Sequence, residues 1–257
     1  MKTKTTCFRV MKWLSLLAVP WLLSGCYYLQ KPTIPMETNE YLFNEGTRSD
    51  SLLVLLPGLG DTDKKFSKEG IIDLLGNTTA ETDVVTVNAH YKYYESRTLI
   101  DRLLEDVIYP ARRQGYRNIR VAGVSLGGFG ALLLLKYRPE EVDAVGLIAP
   151  YLGEKEYYEY LLHENAQEPE IEYKQNLWPW LTRLDSESTN RIYIGYGEED
   201  EFAVPGALLS ERLPEGNGIA IKGGHNWSTF GRIFQQLIAE SRFLETQKPD
   251  ESLAKGW

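Results

Sequence analysis

An apolar run from Ile119 to Val124 passes through Gly123-Val124-Ser125-Leu126-Gly127 directly into Gly128-Phe129-Gly130-Ala131-Leu132-Leu133-Leu134-Leu135. A strand, a turn crowded with glycine and a helix in immediate succession leave few possible folds. The chain must reverse within one or two residues, and only positions without a Cβ let strand and helix backbones approach that closely. The residue left at the tip is Ser125, whose hydroxyl then stands clear of both elements, and it is the candidate nucleophile.

The rest of the chain alternates in the same way. Leu52 to Leu56 and Val84 to Val87 are short aliphatic runs of the kind buried on both faces of a sheet. Thr98 to Tyr109 carries Leu99, Ile100, Leu103, Leu104, Val107 and Ile108 at helical spacing, with an expected stop near Pro110. Strand-like runs recur at Ala144 to Ile148, Arg191 to Tyr196 and Ile219 to Ile221. A last amphipathic helix begins near Ser228 with Phe230, Ile233, Phe234, Leu237 and Ile238 on one face. Repeated β-then-α units predict an α/β fold, a mainly parallel central sheet flanked by helices.

The first 25 residues belong to targeting rather than to the fold. Lys2, Lys4, Arg9 and Lys12 precede the apolar stretch Trp13 to Leu23, which is too short to span a bilayer as a helix. Leu23-Ser24-Gly25-Cys26 resembles the lipobox of bacterial lipoproteins, which implies cleavage before Cys26, lipidation of that cysteine and, with Tyr27 following, residence at the outer membrane facing the periplasm. Residues 26–39, with Pro32 and Pro35, read as an extended tether reaching at most roughly 40 Å. Residues 40–257 form the expected catalytic domain.

The only cysteines are Cys7 and Cys26, so export here brings no disulfide, and no Cys or His pair stands at zinc-ligand spacing. Loss of the signal removes four positive charges and no negative one, which takes the formal charge from −8 to −12. An acidic body argues against nucleic acid and against electrostatic docking on anionic lipid, so membrane attachment falls to the lipid anchor. No metal or organic cofactor is implied.

In open α/β sheets the functional groups collect beyond the carboxyl ends of the strands. Four segments lie there: Pro57-Gly58-Leu59-Gly60-Asp61, Ser125, Gly197-Glu198-Glu199-Asp200 and Gly223-Gly224-His225. Of three histidines, His225 alone sits in a glycine-rich turn after a late strand and is the candidate base. His90 precedes Tyr91-Lys92-Tyr93-Tyr94 and reads as a pocket wall or surface contact, and His163 as solvated. The acids Glu198, Glu199, Asp200 and Glu201 run together, and their residue types alone do not separate them.

The order oxyanion loop, serine, acid, histidine resembles the α/β-hydrolase superfamily over nearly the whole mature chain. The resemblance implies Ser125 as nucleophile, His225 as general base, Asp200 as the carboxylate orienting the imidazole, with Glu199 next in line, and the backbone N–H groups of Leu59 and Leu126 as the oxyanion hole. Pro57 stands where many members carry a histidine. The activity implied is hydrolysis of a small or lipid-like acyl ester through an acyl-enzyme. The same residues would also serve a thioesterase, lipase, peptidase or acyltransferase, and a non-catalytic envelope binding protein is the reading outside enzymes.

Residues 151–190 separate two strands by far more than an ordinary connection and are expected to cap the site. Tyr157, Tyr158, Tyr160, Trp178 and Trp180 would either line an acyl pocket or fasten the insertion to the body.

Overall fold

The computed structural model describes residues 31–44, 47–78, 81–163, 166, 167, 176–239 and 241–245. Seven strands, β1 (Thr38–Tyr41), β2 (Ser51–Leu56), β3 (Thr82–Val87), β4 (Asn118–Val124), β5 (Ala144–Ile148), β6 (Ile192–Gly197) and β7 (Gly218–Ile221), form one sheet in the order β1-β3-β2-β4-β5-β6-β7. Only β1 is antiparallel, pairing Thr38 with Val87 and Tyr41 with Val84 at the edge. The remaining pairs are parallel.

The physical cause of this layering is visible in β2. All six residues are buried. Leu52, Val54 and Leu56 join the apolar cluster on one face, while Leu53 and Leu55 join the cluster on the other. A strand with two dry faces needs helices on both. The terminal helix Trp227–Ala239 supplies Phe230, Ile233, Phe234 and Leu237 to the second face, and the helix Leu126–Tyr137 supplies Phe129, Leu132 and Leu135 to the first.

Strand order reverses beside β2: the chain runs outward to β3 and then crosses back to β4. The loop after β2 and the turn after β4 therefore open at the topological switch point, the usual crevice for ligands in open α/β sheets.

Three expectations need correction. The helix beginning at Leu99 does not stop at Pro110. It passes through a π turn, Leu104–Ile108, and continues as Tyr109–Arg113. The Tyr109 N–H bonds the Leu104 carbonyl, so the wider turn carries the chain past the ring, and Pro110 sits at the start of the following segment, where its missing N–H does no harm.

The second half of the stretch read as a tether lies on the body. The Thr33 N–H donates to the Tyr93 hydroxyl at 2.9 Å, the Met36 N–H to Asp106 Oδ2 at 2.9 Å, and Thr38 and Asn39 are already in β1.

His90 is neither surface nor pocket wall. It is buried, its ring centre 4.6 Å from that of Tyr93, and burial lowers its pKa, which keeps it neutral.

The connection 151–190 carries short 3-10 turns, Lys155–Tyr157 and Glu159–Leu162, and two short helices, Trp178–Leu181 and Ser186–Asn190. Trp178 is fully buried, stacks at a tilt on Tyr158, and its indole N–H donates to the Leu152 carbonyl at 2.9 Å. It fastens the segment down. His163 is exposed, as its surroundings predict. The signal segment and Cys26 lie outside the described residues; among the described helices none is long and apolar enough to cross a membrane.

Candidate active site

Ser125 has φ 52° and ψ −113°, a conformation that L-residues adopt only when the surroundings over-determine it. The constraints are explicit. Its N–H donates to the Ile148 carbonyl at 2.9 Å, and its own carbonyl accepts from Gly128, Phe129 and Tyr151. A Cβ on Gly123 would overlap the Gly127 carbonyl carbon, and one on Gly127 would overlap the Leu56 carbonyl oxygen. Strand β4, the helix after it and the end of β2 are thus pressed together backbone to backbone, and the serine is squeezed out at the tip.

His225 comes from the turn after β7. Its Nε2 lies 3.1 Å from Ser125 Oγ, and its Nδ1 lies 2.8 and 3.0 Å from the two oxygens of Asp200. With the Nδ1–H donated to the carboxylate, the Nε2 lone pair faces the serine hydroxyl. The ring is held edge-on between Phe202 and Phe230, with centres at 5.0 and 4.9 Å. Asn226 follows, and its side-chain carbonyl accepts from Thr229 N–H at the start of the terminal helix.

Within the acidic run the fold separates what the sequence could not. Glu198, Glu199 and Glu201 are exposed, whereas the Asp200 side chain has no exposed area. The turn is fastened to the histidine loop through the Glu198 N–H on the Ile221 carbonyl and the Glu199 N–H on the Gly223 carbonyl, and the Phe202 N–H donates to Asp200 Oδ1 at 2.8 Å. Asp200 is therefore the acid that reaches the imidazole.

The loop after β2 lies beside the serine. A Cβ on Gly58 would sit 3.6 Å from Ser125 Cβ and 3.7 Å from Asp61 Oδ2. Leu59 is exposed, and among the described residues neither its backbone N–H nor that of Leu126 has an acceptor.

Two contacts escaped sequence reading, although Asp61 was already placed in the loop beside the site. Asp61 accepts the Trp227 indole N–H at 3.0 Å, and burial raises its pKa despite that bond. Phe202 and Tyr151, with ring centres 5.7 Å apart, form an aromatic wall that continues to Phe129. The position of Phe202 two residues after the acid was the available signal. Among the described residues no group of three His, Cys, Asp or Glu side chains is placed to hold a metal ion.

A mainly parallel sheet, a strained serine between strand and helix, and an imidazole bridging serine and a buried carboxylate define a serine hydrolase of the α/β-hydrolase fold. The chain matches the family described as "Putative esterase" over residues 19–244 and belongs to it. Among solved structures it is similar to a ferulic acid esterase, with 15% identity over 81% of this chain and 99% of that one and a TM-score of 0.57. It is also similar to an S-formylglutathione hydrolase from Staphylococcus aureus, with 14% identity over 79% and 94% and a TM-score of 0.57. A third is an α/β hydrolase enzyme from a lagoon-sediment metagenome of Mar Chica, Morocco, with 22% identity over 80% and 93% and a TM-score of 0.53. At these identities the likeness is one of fold. None of the curated proteins matches the chain.

Proposed function

We infer that this esterase cleaves carboxylic esters through an acyl-enzyme, with Ser125, His225 and Asp200 as its catalytic triad. The observation that carries the reading is His225, 3.1 Å from Ser125 Oγ on one ring nitrogen and bonded to Asp200 on the other. Ser125 Oγ attacks the ester carbonyl carbon while its proton passes to His225 Nε2. The tetrahedral oxyanion is met by the Leu59 and Leu126 N–H groups. Collapse breaks the bond to the alcohol oxygen, which leaves with the proton from His225. Water then attacks the acyl-serine by the same route in reverse and releases the carboxylic acid and free Ser125. Asp200 holds the imidazole tautomer and stabilises the imidazolium.

The aromatic wall of Tyr151 and Phe202 favours substrates with an apolar or aromatic group beside the ester. The lipobox-like segment ending at Cys26 supports a lipid-anchored enzyme of the bacterial envelope, working close to the outer membrane. A fluorophosphonate probe on the mature protein tests the mechanism: covalent labelling at Ser125, absent from Ser125→Ala, is the expected result, and an unlabelled wild type would overturn it. Ester and thioester panels of varied acyl length then rank the substrates.

A further inference from the structure

A second cavity, of about 260 Å³, opens between residues 93–100 and the far half of the helix Leu126–Tyr137. Its walls include Tyr94, Leu99, Ile100, Leu133 and Tyr137. Leu133 and Tyr137 lie eight and twelve residues beyond Ser125 along that helix, about 12 and 18 Å at 1.5 Å per residue, so the cavity is distinct from the serine site.

One lining residue is charged. Arg97 is exposed, has φ 59°, and its guanidinium has no partner among the described residues. A left-handed conformation strains a residue that carries a side chain, and glycine would avoid that strain. The position nevertheless carries the side chain best suited to grip a planar anion. Nearby charge does not cancel it. Lys92 is paired with Glu95, and the Lys136 ammonium lies 5.3 Å from the Tyr137 ring centre at the cavity's lip. Among the described residues no carboxylate lines the space. An apolar hollow with one cation at its rim calls for a ligand with an apolar body and one negative end, smaller than a drug-sized molecule.

We propose that this cavity binds an amphipathic monocarboxylate, a medium acyl chain or a single aryl ring, with its carboxylate on Arg97 and its apolar part against Leu99, Ile100 and Leu133. The assignment stands on the cavity's own residues and does not depend on the reaction at Ser125.

Calorimetric titration of the full-length Ser125→Ala protein with decanoate, kept below its micellar range, tests it. A saturable site that depends on Arg97 is expected, separable from any product binding at the serine by its indifference to Tyr151→Ala. Arg97→Gln should weaken it at least tenfold, Arg97→Lys should restore part of the affinity, and Ile100→Trp should fill the hollow and abolish binding. Decanol, which lacks the charge, should bind at least tenfold more weakly. Tyr151→Ala, beside the serine, should leave the affinity unchanged. Arg97→Gln is a surface change that keeps the test valid if Ile100→Trp fails to fold. Decanoate binding that survives Arg97→Gln, that is lost in Tyr151→Ala, or that is absent altogether would overturn the proposal.

Discussion

The indole N–H of Trp227 donates to Asp61 Oδ2 at 3.0 Å, which ties the loop after β2 to the turn that carries His225. That loop, which carries Leu59, is also closed by the Asp61 N–H on the Gly58 carbonyl at 3.2 Å. Trp227 also packs edge-on against Phe230, which itself packs on His225. Trp227→Phe keeps that packing, removes the donor and leaves a half-buried carboxylate unmatched, at a cost of about 1–3 kcal/mol. Ester kcat/KM should fall roughly tenfold in Trp227→Phe, with most of the loss in kcat, as steady-state kinetics would report.

The same pair has a pH signature. Burial raises the Asp61 pKa above its ordinary value, so the folded state holds its proton more tightly than the unfolded chain. A raised carboxyl pKa lowers stability as pH climbs from the unfolded value through the folded one, and has no effect below both. Asp61→Asn keeps an acceptor for Trp227 and loses the titration. Its melting temperature relative to wild type should rise between pH 3 and pH 7; a flat difference across that range would assign the shift to another group.

Asp200→Asn should lower kcat by about 10⁴, because the amide cannot hold the Nδ1–H tautomer. Glu198→Gln, Glu199→Gln and Glu201→Gln change exposed side chains and should stay within about threefold of wild type. Ser125→Ala and His225→Ala should each remove nearly all turnover, and the double variant little more, since they act as one unit. Equal losses across the four carboxylates would point away from Asp200.

The aromatic residues of the β5–β6 connection and of the turn after β6 divide into two roles. Trp178→Ala empties a fully buried site and breaks the bond to Leu152, so it should destabilise by about 3–5 kcal/mol without reordering acyl-chain preference. Tyr151→Ala and Phe202→Ala should change kcat/KM ratios between aromatic and aliphatic esters by about 1–3 kcal/mol, the range a pocket contact discriminates. Thermal melts alongside an ester panel separate the two.

If Cys26 carries acyl chains, each buried methylene contributes about 0.8 kcal/mol, and the mature protein should pellet with membranes and resist a high-salt wash. Cys26→Ala should either block processing or release soluble protein, as fractionation and immunoblotting would show. Mature wild-type protein free in the periplasm would remove the anchor.

Ser125 and its elbow were legible in the sequence because the requirement is local: two backbones meet within five residues, and only glycine at 123 and 127 permits it. The core strands were legible for a related reason, since burial on both faces admits only continuous apolar runs such as Leu52 to Leu56. His225 could be singled out because few histidines compete. The acid could not be separated by residue type, because Asp200 differs from its neighbours only in where the turn points it, and that depends on bonds from residues 198 and 199 to the β7 end of the sheet.

Other features arise only when distant segments meet. Edge strand β1 is polar, and the pairing of Thr38 to Tyr41 with Val84 to Val87 comes from an open sheet edge rather than from its own pattern. The course past Pro110 depends on a π turn that residue propensities do not announce. The Asp61–Trp227 bond joins residues 166 positions apart, and Arg97 becomes the charged rim of a cavity only once the helix from Ser125 lies against it. Local sequence pattern determined the layers and the projecting serine, because those follow from steric and solvent constraints acting over a few residues. The acid, the aromatic clamp on the imidazole and the second cavity were decided by tertiary structure, because each is a relation in space between residues whose separate identities permit many partners.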